Sequence, residues 1–443
     1  MMFNNIFSLI QSKFKFLYEN SLFLQNIDNF ILLTIVLVFI SSIFLESDYI
    51  GFIAIVTVFL TVLKFLTKPN EKISFNTFEV FLIAYFMVVI ISLAGSTLFA
   101  LSLKGFLKTF IYIGFYFSVA QYLKFNTNKI PLLVSVIALC VGFESVVAIL
   151  QNFAHVEEIS TWQDVSQLNP EQVMTRVYGT LKPFNPNLLG GYFVSTIPAA
   201  LAILVYNLTE MKFKTTAVAT VITFFSVIAI FLTGCRGAYL AFMAMLFLIF
   251  LLSAKFFWVE FKKVYLSFLS LVLGFFTLAF CSFSSLRARI ISIFAMRNDS
   301  SNSFRFNVYQ SSLEMFRDNW LVGIGVGNKN FREIYGLYMK TGFDALSAYN
   351  VFLEIAVESG IFALIAFVGF LFVCIKDAIK IVLNSIDVEK TIFVSMALIS
   401  IISIMFHGFV DTIFFRPQVQ FVFWFMVAVI SAYSFKPINN LNK

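Results

Sequence analysis

The residues best suited to chemistry in this sequence are its nine arginines, six of which lie between residues 284 and 349. A planar guanidinium group binds carboxylate or phosphate through two parallel hydrogen bonds, whereas a lysine ammonium acts as a point charge. Arg236 lies in the segment TGCRGAYLAF, where Gly234 and Gly237 permit close approach of a backbone or a ligand. This pattern predicts an anion-binding site. The alternatives are pairing of the arginines with loop carboxylates and, for Arg236, a topological arginine that snorkels to the membrane surface.

Arg305 lies in the first turn of a predicted helix. Residues 299–303 supply N-cap candidates for a helix beginning near 302–304. The predicted buried face of this helix comprises Phe304, Val308, Met315 and Phe316. A helix N-terminus carries free N–H groups and the positive end of the helix dipole, both of which favour an anion. Arg305 would add charge to such a site, and a solvated arginine on a loop helix is the alternative.

Catalytic candidates lie in the segment ALSAYNVFLEIAVESG at 345–360. Tyr349 opens a predicted helix, and Glu354 and Glu358 are four residues apart on one of its faces. Carboxylates inside a spanning helix are costly unless they face a cavity or a partner. The two glutamates are therefore predicted either to act in catalysis or to pair with Arg236 and Arg305.

The segment HGFVDTIFFRPQVQFVFWF at 407–425 adds His407, Asp411 and Arg416 around a predicted helix turn. His407 is a further catalytic candidate, although a lone histidine near a membrane edge is more often structural. In RVYGTLKPFNPNLLGGYF at 176–193, Asn185-Pro186-Asn187 predicts a turn followed by an N-cap at Asn187. Arg176 is a candidate anion ligand, and the residues predicted to line the same cavity are Asn185, Asn187, Asn350, Asp411 and Arg416.

The elements that must position these residues are membrane helices. The chain has 443 residues, of which 60% are hydrophobic and 12% charged, with a mean hydropathy of +0.90. Soluble domains carry about 25% charged residues, and a spanning helix needs about 20 mostly apolar residues. We predict an all-α polytopic integral membrane protein with about twelve spanning helices, at 28–46, 50–66, 77–99, 104–123, 130–151, 187–206, 215–233, 237–255, 263–283, 349–375, 389–409 and 417–434.

The distribution of lysine predicts the orientation of these helices. Lysines occur in both termini and in the short connections 64–76, 124–129, 207–214, 255–263 and 376–390. The positive-inside rule places these segments in the cytoplasm. All nine arginines then fall on the outer side. Two predicted outer loops are long: 152–186, and 284–348 between helices 9 and 10.

The domain organisation predicted from this pattern is simple. Residues 1–27 are predicted to form an amphipathic segment at the cytoplasmic surface, and 28–443 a single membrane domain. The four cysteines lack metal-ligand spacing, so neither a metal site nor a disulfide framework is indicated. The glycines of 321–328 follow no predicted strand and indicate a turn, so no dinucleotide cofactor is predicted. The net charge of +7 is attributed to topology, and nucleic acid is not a predicted partner.

Taken in order, these segments resemble recurring segments of the O-antigen ligase and polymerase superfamily. The resemblance covers about residues 130–435 and is strongest to the subgroup named as inorganic-carbon (bicarbonate) transporters. It rests on RVYGTLKPFNPNLLGGYF, TGCRGAYLAF, RNDSSNSFRFNVYQSSLEMF, GIGVGN, FDALSAYNVFLEIAVESG and DTIFFRPQVQFVFWF. The resemblance implies a GT-C-like fold of twelve helices in the bacterial inner membrane, with a large outer loop between helices 9 and 10.

The same resemblance implies roles for individual residues. Ligases of this superfamily transfer a glycan from an undecaprenyl-diphosphate carrier to an acceptor on the outer face, without a metal, and two arginines bind the diphosphate. Those roles carry over to Arg236 and Arg305. A family histidine that activates the acceptor hydroxyl, usually as His-Asn, is replaced here by Tyr349-Asn350. A tyrosine with an ordinary pKa of about 10 is a poor base at neutral pH, so Glu354, Glu358 or His407 would have to substitute.

Three hypotheses follow from the sequence. The first is a membrane glycan transferase that uses a polyprenyl-diphosphate-linked sugar donor and a lipid or saccharide acceptor. The second is a transporter of bicarbonate or another small anion, which the name of the subgroup favours. The third is a non-catalytic protein of the cell envelope that binds the lipid carrier, which the missing histidine would permit.

Overall fold

The computed structural model describes residues 2–69, 72–154, 176–258, 261–294 and 299–435. Throughout these ranges the regular secondary structure is helical, without strands. The α-helices are α1 (Met2–Asn20), α2 (Leu22–Gln25), α3 (Ile27–Phe44), α4 (Ser47–Thr67), α5 (Thr77–Gly95), α6 (Phe99–Phe125), α7 (Ile130–Phe153), α8 (Pro186–Thr209), α9 (Phe213–Leu232), α10 (Arg236–Phe257), α11 (Lys262–Ser282), α12 (Ser284–Ile291), α13 (Ser300–Asp318), α14 (Asn328–Tyr335), α15 (Val351–Asn384), α16 (Val388–His407) and α17 (Pro417–Ser434).

Within the described ranges, ten segments are long and apolar enough to cross a membrane. They contain α3, α4, α5, α7, α8, α9, α10, α15, α16 and α17. The prediction of a polytopic helical membrane protein is therefore confirmed. The remaining two predicted spans coincide with α6 and α11, which are helices but are not among the ten, so the count of twelve stays a prediction.

Within the first predicted segment, 1–27, residues Met2–Asn20 and Leu22–Gln25 are helical. Its helix α1 packs against α4, where the Gln11 side chain donates a hydrogen bond to the Phe65 carbonyl at 2.9 Å. The predicted loop 152–186 falls largely outside the described residues, because only its ends, 152–154 and 176–186, are described.

The centre of the bundle is formed by the two most enclosed spans, α17 and α8, which are 89% and 83% buried. Helices α6 and α17 run side by side in the same direction, since Tyr112 contacts Phe421 at a ring distance of 5.1 Å and Tyr116 contacts Trp424 at 5.5 Å. Farther along α6, Lys124 forms a fully buried ion pair at 3.2 Å with Glu79 of α5. The buried charges are compensated, because Glu79 also accepts hydrogen bonds from Tyr116, at 2.6 Å, and from a backbone N–H.

The long predicted loop, 284–348, is a folded subdomain that contains α12, α13 and α14. Asp299 caps α13 by accepting the N–H of Asn302 at 2.9 Å, as expected from the 299–303 run. The predicted buried face of α13 is also confirmed, because Val308 and Met315 are fully buried and Phe304 and Phe316 pack beside them. With α14 and the residues before α15, these side chains form an apolar cluster separate from the main core.

The glycine-containing turn at 321–328 docks into a break in α15. Gly360 has φ 78° and ψ 179°, a conformation open almost only to glycine, and it interrupts the helix. The turn replaces the lost helical hydrogen bonds: the Ile361 N–H donates to the Trp320 carbonyl at 2.8 Å, and the Ile324 N–H donates to the Val357 carbonyl at 3.0 Å. Non-helical backbone inside a membrane protein requires such partners. The 284–348 subdomain is therefore anchored inside the bundle.

Candidate active site

A cavity of about 570 Å³ opens where α8, α10, α13 and α17 begin. Asp411 is the carboxylate among its described lining residues. Its basic lining residues are six: Lys108, Arg176, Arg236, Arg289, Arg305 and Arg416. Such an excess of cations in a partly enclosed space attracts anions. The sequence singled out four of these cations as site residues, and the structure adds Lys108 and Arg289.

Arg236 is held in a fixed orientation by the cap of α13. Its Nη1 lies 2.9 Å from one carboxylate oxygen of Asp299, and its Nη2 donates to the other at 2.9 Å. Nη1 also lies 3.2 Å from both the carbonyl and the hydroxyl of Ser292. Burial alone would raise the pKa of Asp299, but the hydrogen bond and charge of Arg236 lower it. The carboxylate is therefore ionised at neutral pH and keeps Arg236 at the cavity wall.

Two further arginines converge on the turn before α10. Arg176 is buried, and its Nε donates to the Thr233 carbonyl at 2.8 Å. Arg289 Nε donates to the Gly234 carbonyl at 2.8 Å. Burial, followed by the charges of Arg176 and Arg236, lowers the pKa of Arg289 to about 10, so the group stays charged at neutral pH. We name Arg176, Arg236 and Arg289 the turn arginines.

The structure corrects the predicted cap of α8. The N-cap is Asn185, whose side chain accepts the Asn187 N–H at 2.8 Å, and Pro186 takes the first helical position. The Asn187 side chain instead accepts a hydrogen bond from Arg176 Nη2 at 2.6 Å. Spacing alone does not show which asparagine is the N-cap, because both flank a proline that starts a helix. Both line the cavity, as predicted.

Arg305 is held more loosely than the turn arginines. Its Nη2 lies 3.9 Å from an oxygen of Asp411, and its Nη1 donates to Ser301 Oγ at 3.0 Å. Its Nε is buried and lacks a hydrogen-bond partner within the described residues. The guanidinium carbon lies 5.9 Å from the centre of the Tyr349 ring. Arg305 therefore retains hydrogen-bond donors for a ligand in the cavity.

Tyr349 lies beside Arg305. Contrary to the prediction, it does not open a helix. It has φ 50°, and α15 begins two residues later, with Asn350 as its N-cap. Burial, followed by the charge of Asp411, raises the pKa of Tyr349 to about 12. The phenol is therefore protonated at neutral pH and can donate a hydrogen bond but not remove a proton.

Glu354 and Glu358 are buried on α15 and do not pair with Arg236 or Arg305, contrary to one of the two predicted roles. Glu354 accepts the Ala348 N–H at 3.1 Å, and Glu358 accepts the Gly327 N–H at 2.8 Å. Neither belongs to the described lining of the cavity. The arginines pair instead with aspartates on the loops, because α13 brings Asp299 to Arg236 and the loop after α16 brings Asp411 to Arg305.

His407 ends α16 and is buried behind the cavity wall. Its Nε2 lies 3.7 Å from the sulfur of Cys235, which lines the cavity. The segment that follows carries Asp411 and Arg416 to the cavity, and the Asp411 carboxylate accepts the Thr412 N–H at 2.7 Å. Among the described residues, no group of side chains is suited to hold a metal ion.

Fold and site together define a multi-pass helical membrane protein with a cationic cavity at one end of the bundle. Residues 221–368 match the family model described as "Wzy_C: O-Antigen ligase". That range includes Arg236, Arg289, Arg305 and Tyr349, whereas Arg176, Asp411 and Arg416 lie outside it. The match supports the likeness to the O-antigen ligase and polymerase superfamily and implies the bilayer and a glycan as partners in general terms. No curated protein matches the chain.

Proposed function

We propose that this protein is a membrane glycan transferase of the O-antigen ligase or polymerase type. It takes a sugar from a polyprenyl-diphosphate carrier and transfers it to a lipid or saccharide acceptor. The observation that carries the proposal is the cavity, in which six cations face a single carboxylate among the described lining residues. A diphosphate is an anion that guanidinium groups bind through paired hydrogen bonds.

In this proposal the turn arginines and Arg305 bind the diphosphate. Negative charge on its oxygens grows as the bond to the sugar breaks, and fixed donors stabilise that charge without reorganisation. The hydrogen bonds of Arg236 to Asp299 and of Arg176 to Asn187 hold these donors in place before substrate arrives. Arg305, which also lines the cavity and is held by Ser301 and a 3.9 Å contact with Asp411, supplies a further guanidinium group.

We assign the acceptor-activating base to Asp411. Tyr349 is protonated at neutral pH, whereas Glu354, Glu358 and His407 do not line the described cavity. The acceptor hydroxyl oxygen attacks the anomeric carbon, its proton passes to the Asp411 carboxylate, and the bond to the diphosphate oxygen breaks. The lipid diphosphate leaves with the bonding electron pair, and Asp411 later returns the proton to water. Attack opposite the leaving group inverts the anomeric configuration.

The reaction is proposed to occur on the outer face of a bacterial inner membrane, with both termini in the cytoplasm. The lysines of the short connections support this orientation. A protease-sensitive tag placed after Lys443 tests it. The tag should resist protease added to intact spheroplasts and be cleaved after the membrane is permeabilised, and cleavage in intact spheroplasts would contradict the orientation.

Anion transport is the second candidate, because a broken helix such as α15 is a feature of transporter sites. Here, however, the break at Gly360 is filled by the 321–328 turn, and the nearby Glu358 carboxylate is engaged by Gly327. The break therefore anchors the subdomain, and the cavity with its charges lies elsewhere. This arrangement favours a substrate-binding cavity at one end of the bundle over a transport site at the break.

The test is reconstitution of the full chain in lipid vesicles with an undecaprenyl-diphosphate-linked oligosaccharide and a set of acceptors. Mass spectrometry follows transfer, and bicarbonate uptake is measured in parallel. Transfer with release of undecaprenyl diphosphate supports the proposal. Donor binding without transfer to any acceptor favours the non-catalytic carrier-binding role. Saturable bicarbonate uptake without donor binding would favour the transporter.

A further inference from the structure

Two cations of the cavity, Lys108 and Arg416, belong to a different wall from the turn arginines. Arg176 and Arg289 donate hydrogen bonds to the carbonyls of Thr233 and Gly234, and Arg236 follows this turn in the chain. Lys108 is on α6, and Arg416 immediately precedes α17. The cavity lining therefore carries two groups of positive charge that are supplied by different helices.

The packing of α6 on α17 brings Lys108 and Arg416 to the same level. The two helices run in parallel, and Tyr112 meets Phe421 at 5.1 Å. Lys108 lies four residues before Tyr112, and Arg416 lies five residues before Phe421. At 1.5 Å per helical residue, both cations lie about 6–8 Å beyond this ring contact, on the side of the cavity. Tyr112 also lies within electrostatic range of Arg416.

Neither cation is held in an ion pair, although Arg416 lies within electrostatic range of the buried Glu354. Both side chains are exposed at the cavity, and no ion pair joins either of them to a described residue. Asp48, at the start of α4, lies within electrostatic range of Tyr112 but forms no ion pair with Lys108 or Arg416. By contrast, Arg236 and Arg305 each have an aspartate partner. Two cations without an ion-pair partner in the lining of one cavity attract an anion.

The diphosphate of a lipid carrier does not account for this second group. It has two phosphates, and the turn arginines together with Arg305 already supply four guanidinium groups for them. Nor does topology account for it, because the proposed orientation puts Lys108 and Arg416 at the outer end of their helices, where basic residues are not favoured. A cavity of about 570 Å³ also has room for more than a diphosphate.

We propose that Lys108 and Arg416 form a second anion subsite, which binds an acidic group, carboxylate or phosphate, on the saccharide received by the cavity. The inference rests on the proposed function and narrows its substrate class to acidic glycans. A uronic acid or a phosphorylated sugar would supply the negative charge that this part of the cavity lacks, whereas a neutral saccharide would not.

The test measures binding to the full chain in lipid nanodiscs. The probes are a trisaccharide containing glucuronic acid, a trisaccharide carrying a 6-phosphate, a neutral glucose trisaccharide of equal length, and undecaprenyl diphosphate. The variant combines Lys108→Gln with Arg416→Gln. Lys104→Gln is the matched control, because Lys104 is an exposed lysine on the same helix that does not line the cavity. Arg416→Lys keeps the charge and serves as the conservative variant.

Wild type and Lys104→Gln should bind at least one acidic trisaccharide about tenfold or more tightly than the neutral one, and the double variant should lose this preference. Whichever acidic trisaccharide is preferred identifies carboxylate or phosphate as the ligand group. Arg416→Lys should retain most of the preference. The double variant should bind undecaprenyl diphosphate as wild type does, which also verifies its fold.

Equal affinity of wild type for acidic and neutral trisaccharides, or an unchanged preference in the double variant, would overturn the proposal. A parallel loss of undecaprenyl diphosphate binding in the double variant would also overturn it, because the two cations would then belong to the diphosphate site. If wild type does not bind undecaprenyl diphosphate at all, the proposed function fails, while the trisaccharides still decide the second subsite.

Discussion

At the residue scale, the cavity is built from guanidinium groups that the protein itself orients. Arg236 is fixed by Asp299 and Ser292, and Arg176 by Thr233 and Asn187. Such partners restrict each side chain to one orientation at the cavity wall. The cost of ordering a long side chain is then met during folding, so that binding of an anionic substrate loses less entropy.

Asp411→Asn should reduce transfer by about 10²–10⁴-fold, because it removes the base while retaining the shape of the side chain. Donor binding should be unchanged or slightly tighter, since a negative charge next to Arg305 is lost. Asp411→Glu should retain part of the activity, and Glu314→Gln, on the exposed side of α13, should have no effect. Transfer by Asp411→Asn at the rate of wild type, measured under saturating donor, would contradict the assignment.

Glu358→Gln separates a structural role from a catalytic one. The glutamine amide oxygen can still accept the Gly327 N–H, so stability and transfer should stay close to wild type. Glu358→Ala leaves that N–H without its partner and should destabilise the protein by about 1–3 kcal/mol, seen as a lower thermal midpoint in detergent. Loss of transfer in Glu358→Gln with an unchanged midpoint would show instead that the carboxylate takes part in the reaction.

Sequence reasoning identified the arginines of the site better than their partners. The glycines around Arg236 and the capping run before Arg305 are local signals, and both residues line the cavity. Lys108 and Arg289 were missed as site residues, because their place in the cavity depends on how α6 and α12 pack. Lys108 could have been recognised as a candidate site residue, because it is a basic residue at the predicted outer end of a helix. Arg297 lies outside the described residues.

At the element scale, the contact between the 321–328 turn and the break in α15 fixes the 284–348 subdomain. The sequence predicted the turn from its glycines, and predicted one uninterrupted helix at 349–375, because VESGIF continues an apolar run. At the break, the Ile361 N–H donates to the Trp320 carbonyl, and the Leu321 carbonyl lies against Gly360. Those partners are about 40 residues away in the chain, so no local pattern reveals them.

Gly360→Ala should disrupt this contact. The added Cβ would collide with the Leu321 carbonyl, and the positive φ would be strained, at a cost of about 1–3 kcal/mol from the backbone alone. The expected result is a lower thermal midpoint together with faster proteolysis in the 284–348 subdomain. Gly51→Ala, at a helical glycine whose added Cβ meets nothing within 4 Å, is the control and should behave as wild type. Equal stability of the two variants would contradict the anchoring role.

At the scale of the whole molecule, a membrane bundle and a folded subdomain enclose one cationic cavity. The bundle has its own apolar core around α17 and α8, and the subdomain has a second, smaller one around α13 and α14. Tyr309 of α13 links them, because its hydroxyl donates to the Tyr349 carbonyl at 3.2 Å and lies 3.4 Å from the Phe409 carbonyl. Arg289 and Arg305 of the subdomain thus reach the same cavity as Arg176 and Arg236 of the bundle.

Composition and apolar run length were sufficient to predict the bundle, since hydropathy depends on each segment by itself. All twelve predicted spans overlap helices, ten of which are in segments apolar and long enough to cross a membrane. The cavity could not be predicted with the same accuracy, because it depends on the relative positions of helices far apart in the chain. Arg176 and Arg289, for example, are 113 residues apart and converge on the same turn.

The measurement that tests the central claim most directly is the affinity of the full chain in nanodiscs for undecaprenyl diphosphate, compared between wild type, Arg305→Ala and Arg317→Ala. Arg317 is the matched control, since it is an exposed arginine on the same helix, α13, and does not line the cavity. Arg305→Ala should bind undecaprenyl diphosphate about tenfold or more weakly than wild type, because a charge-assisted donor is removed. Arg317→Ala should bind it as wild type does. Equal affinities for all three proteins, or no binding by wild type, would contradict the proposal that this cavity binds a lipid diphosphate.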